Sequence, residues 1–226
     1  MRLLTTATIT HRPVLDGQSA IVPHPLYFDG ELPASTRDNE FLYFGMISRY
    51  KGLDRLLATW PKERRLVLAG AVREPGLEAQ LNRLIEKRGL DVDIVTRFLP
   101  DAELEALLLR TKFVVLPHRD ETAIVTGSFY HAASFGANIL VRNGDFGRSV
   151  QEKFSFVTLF EDDNIGEALA RARYVEAKDV VAEIRKANGA ASCREAWEKV
   201  LLAGPPSWRP SAPNPSPDKP ARRRAA

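Results

Sequence analysis

Cysteine is nearly absent. Cys193 stands alone among 226 residues, so no internal disulfide can staple the chain, and no Cys/His cluster has zinc-site spacing. One free thiol accords with a reducing, cytoplasmic setting. The four histidines, His11, His24, His118 and His131, are too scattered for a metal site, and no metal or Ser-His-Asp reading can be defended. Neither a Gly-x-Gly-x-x-Gly fingerprint nor a Walker loop occurs, which leaves the common dinucleotide and P-loop readings without support. Long hydrophobic runs are lacking too. The uncharged stretch Ala123–Val141 contains Thr126, Gly127, Ser128, Tyr130, His131, Ser134, Gly136 and Asn138, too polar for a transmembrane helix. The apolar start is broken at Thr5, Thr6, Thr8, Thr10, His11 and Pro13 and does not read as a signal peptide.

What is present is ordinary globular material: 44% hydrophobic and 27% charged residues. This excludes a chain disordered throughout, a collagen-like repeat and a disulfide scaffold. The length fits one large domain or two small ones, at roughly 100–200 residues per domain. The net charge of +3 is unevenly placed. Residues 204–226 hold Arg209, Lys219, Arg222, Arg223 and Arg224 against Asp218 alone, which gives the tail +4 and leaves −1 on the rest. The basic pI therefore belongs to the tail, and no nucleic-acid-binding surface follows from it. The closing Arg triplet offers a weak membrane-surface signal, since stable attachment takes two such signals; a peripheral location at the inner membrane face is the alternative to a purely cytoplasmic one.

Three textures follow one another. Residues 1–38 are irregular, with Pro13, Pro23, Pro25 and Pro33 interrupting any helix or central strand. Residues 39–203 alternate apolar strand-like runs with amphipathic helical ones. Residues 204–226 carry seven of the fifteen prolines and bury too little apolar surface to offset ordering entropy, so a disordered Pro/Arg-rich tail is expected. In the middle region, strands are expected at Phe41–Gly45, Arg65–Gly70, Val92–Phe98, Phe113–Pro117, Asn138–Val141 and Phe156–Phe160. Helices are expected near Leu53–Trp60, around Leu77, Leu81, Leu84 and Ile85, from Asp101, and over Gly127–Phe135, with two or three more between Asn164 and Leu202. The continuous apolar run Phe113-Val-Val-Leu-Pro117 is of the kind found where helices cover both sheet faces. The pattern predicts an α/β fold, a doubly wound parallel sheet flanked by helices.

In such sheets ligands bind beyond the carboxyl ends of strands, and three loops there stand out. Gly45-Met-Ile-Ser-Arg-Tyr-Lys-Gly52 sets Arg49 and Lys51 beside a glycine at a helix start. Cations and unpaired N–H groups in that position attract phosphate, although ordinary solvated charges would look the same. The segment Pro117–Ser128 is densely polar and opens a helix at Thr126-Gly127-Ser128; these residues serve either as a simple cap or as an anion site favoured by the helix dipole. Arg97-Phe-Leu-Pro-Asp101 reads by itself as a helix start with Asp101 as N-cap.

Together the segments "FLYFGMISRYKGLDRLL", "RLVLAGA", "VTRFLPDAELEALLLRTKFVVLP" and "TAIVTGSFYHAASFGANILVRNGDFG" resemble the C-terminal, donor-binding lobe of group-1 retaining glycosyltransferases with the two-lobed GT-B fold. Each piece is loose, but four in this order and spacing are specific. The resemblance runs from about Phe41 to Val150 and implies a Rossmann-like lobe that binds a nucleotide-diphosphate sugar, UDP- or GDP-linked. It implies metal-independent transfer to an acceptor without a further cofactor. In the family an Arg and a Lys of the first loop hold the diphosphate. Lys51 falls on that Lys, Met46 stands where the Arg would be, and Arg49 is the candidate replacement.

The resemblance further places the base against Phe98, Leu99 and Pro100 and the phosphates at Thr126, Gly127 and Ser128. Many members carry two Glu residues in this last segment, the second holding the ribose. Counted back from Gly136, Ala123 and His131 occupy those positions. Asp120, Glu121 and His131 remain as candidates for the ribose and sugar, and no catalytic residue is assigned. Family members also have an N-terminal acceptor lobe. Residues 1–38, with "IVPHPLYFDG", are similar to its exit and the interdomain linker, so a missing lobe or a partner chain is expected to complete the site. The alternative is a non-catalytic nucleotide-sugar-binding or interaction module that works with a partner chain.

Overall fold

The computed structural model describes residues 22–118 and 127–202. Asp120, Glu121, Ala123 and Thr126, and the tail from residue 203 onward, lie outside the described residues. Six strands form one sheet: β1 (Asn39–Phe44), β2 (Leu66–Ala69), β3 (Val92–Val95), β4 (Thr111–Leu116), β5 (Asn138–Arg142) and β6 (Val157–Phe160). Every pairing is parallel, in the order β3-β2-β1-β4-β5-β6. In the two central strands, Phe41 lies between Leu66 of β2 and Phe113 of β4. Helices α1 (Leu53–Thr59), α2 (Leu77–Arg88), α3 (Asp101–Arg110), α4 (Gly127–Ser134), α5 (Asp145–Gln151), α6 (Ile165–Arg171), α7 (Ala177–Asn188) and α8 (Ala190–Leu202) connect and follow the strands. This is the doubly wound, Rossmann-like architecture expected from the sequence.

Alternation of side chains along each strand sends successive residues to opposite faces, and both faces are covered. Phe41, Tyr43, Phe113 and Val115 pack with Leu53, Leu57 and Trp60 of the α1 side and with Ile165 of α6. Leu42, Phe44, Val114 and Leu116 pack instead with Leu108 of α3, Phe129 and Ala133 of α4, and Ile184 of α7. Trp60 is fully buried, lies edge-on to Phe41 with ring centroids 5.3 Å apart, and donates its indole N–H to the Arg64 carbonyl at 2.7 Å. Satisfying that N–H is what allows so large a ring to be buried whole.

Residues 22–38 carry no helix or strand but pack on the sheet's helical layer. The Arg37 guanidinium donates to the carbonyls of Leu108, Thr111 and Phe135, tying the ends of α3 and α4 to the start of β4. The Arg185–Asp29 ion pair (2.8 Å) and the bond from Asn188 Nδ2 to the His24 carbonyl (3.0 Å) fasten the same segment to α7.

Three local expectations are corrected. Asp101 is the first helical residue of α3 rather than its cap. Pro100 holds that position, with its carbonyl accepting from the N–H groups of Glu103 and Leu104 at 3.0 Å each, while Asp101 complements the dipole from the first turn. The third strand ends at Val95, because its partner β2 ends at Ala69 and the Ala69–Val95 register pair is the last. Helix α5 has no counterpart in the sequence reading. Its seven residues include Gly147, whose presence lowers helix propensity but is required here, since a Cβ would meet the Arg142 carbonyl oxygen at 2.6 Å.

Candidate functional site

The strand order reverses between β1 and β4. The chain leaves β1 toward β2 and β3, and leaves β4 toward β5 and β6, which opens a crevice at the carboxyl ends of these two strands. The loop 45–52 follows β1, and the segment entering α4 follows β4, so topology alone brings them to one place. The backbone confirms how close they come. A Cβ on Gly45 would stand 3.8 Å from Ser128 Oγ, and one on Gly52 would meet the Pro117 carbonyl oxygen at 3.1 Å. Lys51, adjacent to Gly52, and Gly127–Ser128 therefore share one end of the sheet.

The first loop is held by backbone pairing to the turn after β2. Ile47 N–H donates to Ala71 O at 2.9 Å and Arg73 N–H to Ile47 O at 3.2 Å, forming a parallel bridge between Ile47 and Val72. Gly45 and Gly70 pass in such close contact that a Cβ on Gly70 would fall 1.8 Å from the Gly45 oxygen. Tyr43 Oη donates to the Met46 carbonyl at 2.7 Å, and burial pushes its phenol pKa up. Ser48 is buried, and its hydroxyl has no hydrogen-bond partner among the described residues.

The two cations of the loop part company. Arg49 Nη1 donates to Gln80 Oε1 on α2 at 2.8 Å, and its backbone N–H reaches Glu74 Oε2 at 3.2 Å. Lys51 Nζ stands 4.9 Å over the Tyr50 ring centroid. Arg49 is thus engaged toward α2, while Lys51 sits at the position next to the β4 end.

Among the described residues, helix α4 has no acidic side chain in its first turn, the end at which the helix dipole is positive. His131 lies one turn along. Its ring stacks on Tyr27 (4.3 Å, 8° between planes) and meets Phe44 edge-on at 5.6 Å. Desolvation lowers its pKa against the opposing charge of Asp101, which favours a neutral imidazole. His24 stacks on Tyr130 at 4.3 Å, and burial raises the Tyr130 phenol to about 12. Sequence reasoning missed Tyr27 and His24 as neighbours of α4. Their signal is the aromatic spacing within "HPLYF", which has no meaning until α4 is placed opposite.

The remaining candidates occupy the loop after β3. Phe98 is 75% exposed, Leu99 is buried against the α3–α4 core, and Pro100 caps α3. Beside them Arg97 is paired with Glu103. A cavity of about 680 Å³ lies elsewhere, lined by Arg37, Glu40, Phe41, Lys112, Phe113 and Tyr174. These residues belong to the amino ends of β1 and β4 and their surroundings, away from the loops just described.

Residues 28–186 match the family model of glycosyl transferases group 1, about 70% of the chain. The chain belongs to the group 1 glycosyl transferases. A comparison with curated proteins yields no match. Solved structures of similar fold include AviGT4, a glycosyltransferase involved in avilamycin A biosynthesis (20% identity, TM-score 0.60, covering 81% of this chain and 58% of that one). HepE from Anabaena, crystallised in complex with UDP and glucose, is 16% identical with TM-score 0.57, over 74% of this chain and 49% of that one. A UDP-forming α,α-trehalose-phosphate synthase from Burkholderia vietnamiensis is 12% identical with TM-score 0.53, over 74% and 45%. The chain spans about half the length of these structures. Among the described residues, no helix is long and apolar enough to cross a membrane.

Proposed function

We propose that this glycosyl transferase domain binds the diphosphate of a UDP- or GDP-linked sugar in the crevice between the 45–52 loop and the amino end of α4. The observation that supports this reading is that Gly45 and Gly52, which bound the loop holding Lys51, come against Ser128 and Pro117 at the topological switch point. The family membership of the chain and the presence of UDP in the HepE structure support it. Phe98, Leu99 and Pro100 would receive the base. Transfer would proceed with retention at the sugar and without a divalent metal. As the bond to the diphosphate breaks, negative charge accumulates on the leaving group. A preorganised ammonium and helix N–H dipoles are the groups that stabilise such charge without reorganising. The acceptor would approach from a second lobe, supplied by the same polypeptide or by a partner chain, since the solved relatives contain about as much chain again.

Removing one such donor costs about 3–4 kcal/mol of transition-state stabilisation. Lys51→Ala should therefore lower turnover and, because the diphosphate is already anionic before transfer, also weaken binding of the nucleotide sugar, while leaving thermal unfolding unchanged. Titration calorimetry with UDP, GDP and their glucose conjugates reads this directly, and affinity equal to wild type in the variant overturns the proposal. A second reading, donor binding without transfer, is favoured by Met46 and His131, which replace the charged residues of the family pattern. Binding without turnover, with transfer appearing only on adding a second chain, selects it.

A further inference from the structure

The segment that enters the domain places one more functional group at the mouth of α4. A Cβ on Gly127 would lie 2.7 Å from Tyr27 Oη, so the phenol hydroxyl stands beside the first residue of the helix. Tyr27 is 56% exposed, and its hydroxyl makes no hydrogen bond to any described residue. Its position is nevertheless well defined. The ring lies flat on His131, its backbone N–H donates to Ser134 Oγ at 3.1 Å, and the next residue, Phe28, stacks on Phe135 at 5.3 Å. Three residues earlier, His24 stacks on Tyr130 and its carbonyl is held by Asn188. Residue 27 precedes the stretch matched by the family model, which begins at residue 28.

An exposed hydroxyl without a partner among the described residues, fixed by a stacked ring at the positive end of a helix, is a preorganised donor for an anionic oxygen. A Cβ at residue 127 would clash with this hydroxyl, so its approach to the helix depends on the glycine there. His131 beneath it presents a ring face to Tyr27. A stacked imidazole cannot supply the two acceptor oxygens of a carboxylate, so this pair offers donor chemistry where a Glu would offer acceptors.

We infer that Tyr27 is a donor-site residue whose phenol hydroxyl donates a hydrogen bond to an oxygen of the nucleotide diphosphate, with His131 acting as the platform that holds its ring. The inference rests on the proposed diphosphate site. Its test is equilibrium titration of the full chain and of Tyr27→Phe, Tyr27→Ala and Lys51→Ala with UDP and GDP, and with uridine and guanosine as phosphate-free controls. Tyr27→Phe should bind the preferred diphosphate about tenfold more weakly, leave the nucleoside affinity unchanged and unfold at the wild-type temperature. Tyr27→Ala should be at least as weak. Diphosphate affinity within twofold of wild type in Tyr27→Phe overturns the inference, as does tighter binding in Tyr27→Ala, which would make the ring an obstruction. If Tyr27→Phe alone is unchanged while Lys51→Ala is impaired, only this inference fails. If wild type binds neither diphosphate, or Lys51→Ala also binds normally, the underlying site fails and the inference falls with it.

Discussion

Replacing Gly70 by Ala probes the contact on which the crevice depends. Gly70 has φ +156°, and a Cβ added to it would lie 1.8 Å from the oxygen and 2.7 Å from the carbon of the Gly45 carbonyl. Those atoms are backbone, so no rotamer change relieves the overlap. Either β1 and β2 separate at their carboxyl ends or the 45–52 loop moves. Overpacking of this kind costs about 1–3 kcal/mol, and a sparsely populated backbone conformation adds about 1–3 kcal/mol for a residue with a Cβ. The expected destabilisation is therefore about 3 kcal/mol or more. For a domain of this size each kcal/mol lowers Tm by about 2–4 °C, which gives a fall of about 6–12 °C. Urea unfolding followed by circular dichroism measures the free energy, and a calorimetric scan measures Tm. Because the loop carrying Lys51 is displaced, diphosphate affinity should fall even well below the transition. A variant within about 1 kcal/mol of wild type that binds normally would refute the close Gly45–Gly70 contact and the argument built on it.

Three other outcomes are expected. Trp60→Ala should cost about 3–5 kcal/mol in urea unfolding, since it empties a fully buried site and orphans the Arg64 carbonyl; a loss below about 1 kcal/mol would contradict the packing described. His131 has a folded pKa below its ordinary 6.5, so the unfolded state binds the proton more readily, and the stability it contributes above 6.5 is lost as pH falls through that value toward the folded pKa. Comparing unfolding free energies at about pH 7.5 and about pH 5.5, wild type should lose more than His131→Phe, and equal losses would contradict a desolvated imidazole. Gly89→Ala meets no atoms within 4 Å but retains φ +63° at the end of α2, so it should cost only about 1–2 kcal/mol; a much larger loss in urea unfolding would show that the site is sterically closed.

Much of the architecture was legible because its signals are local. The apolar run Phe113–Leu116 announced a central strand, the stripe of Leu77 and Leu81 announced α2, and Gly89 marked its end. Boundaries slipped where a neighbour rather than the segment decides, as at Val95, where β3 stops because β2 does. Helix α5 was invisible because its Gly147 answers to the Arg142 carbonyl and not to helix propensity. The same division runs through the crevice. That Lys51 and Gly127–Ser128 lie at one end of the sheet could be read from strand order and loop position, whereas the departure of Arg49 toward Gln80 depends on where α2 lies. The Tyr27–His131 stack joins residues from opposite sides of the domain's sequence, and no spacing rule reaches across such a separation. Gly45 and Gly70 likewise show their purpose only once β1 and β2 are paired.

A crystal structure of the chain soaked with UDP and, separately, with GDP puts the central claim to its most direct trial. The diphosphate should appear between Lys51 and the amino end of α4, within hydrogen-bond reach of Gly127 or Ser128. Density for it in the cavity lined by Arg37, Lys112 and Tyr174, or at neither location with either nucleotide, would contradict the account.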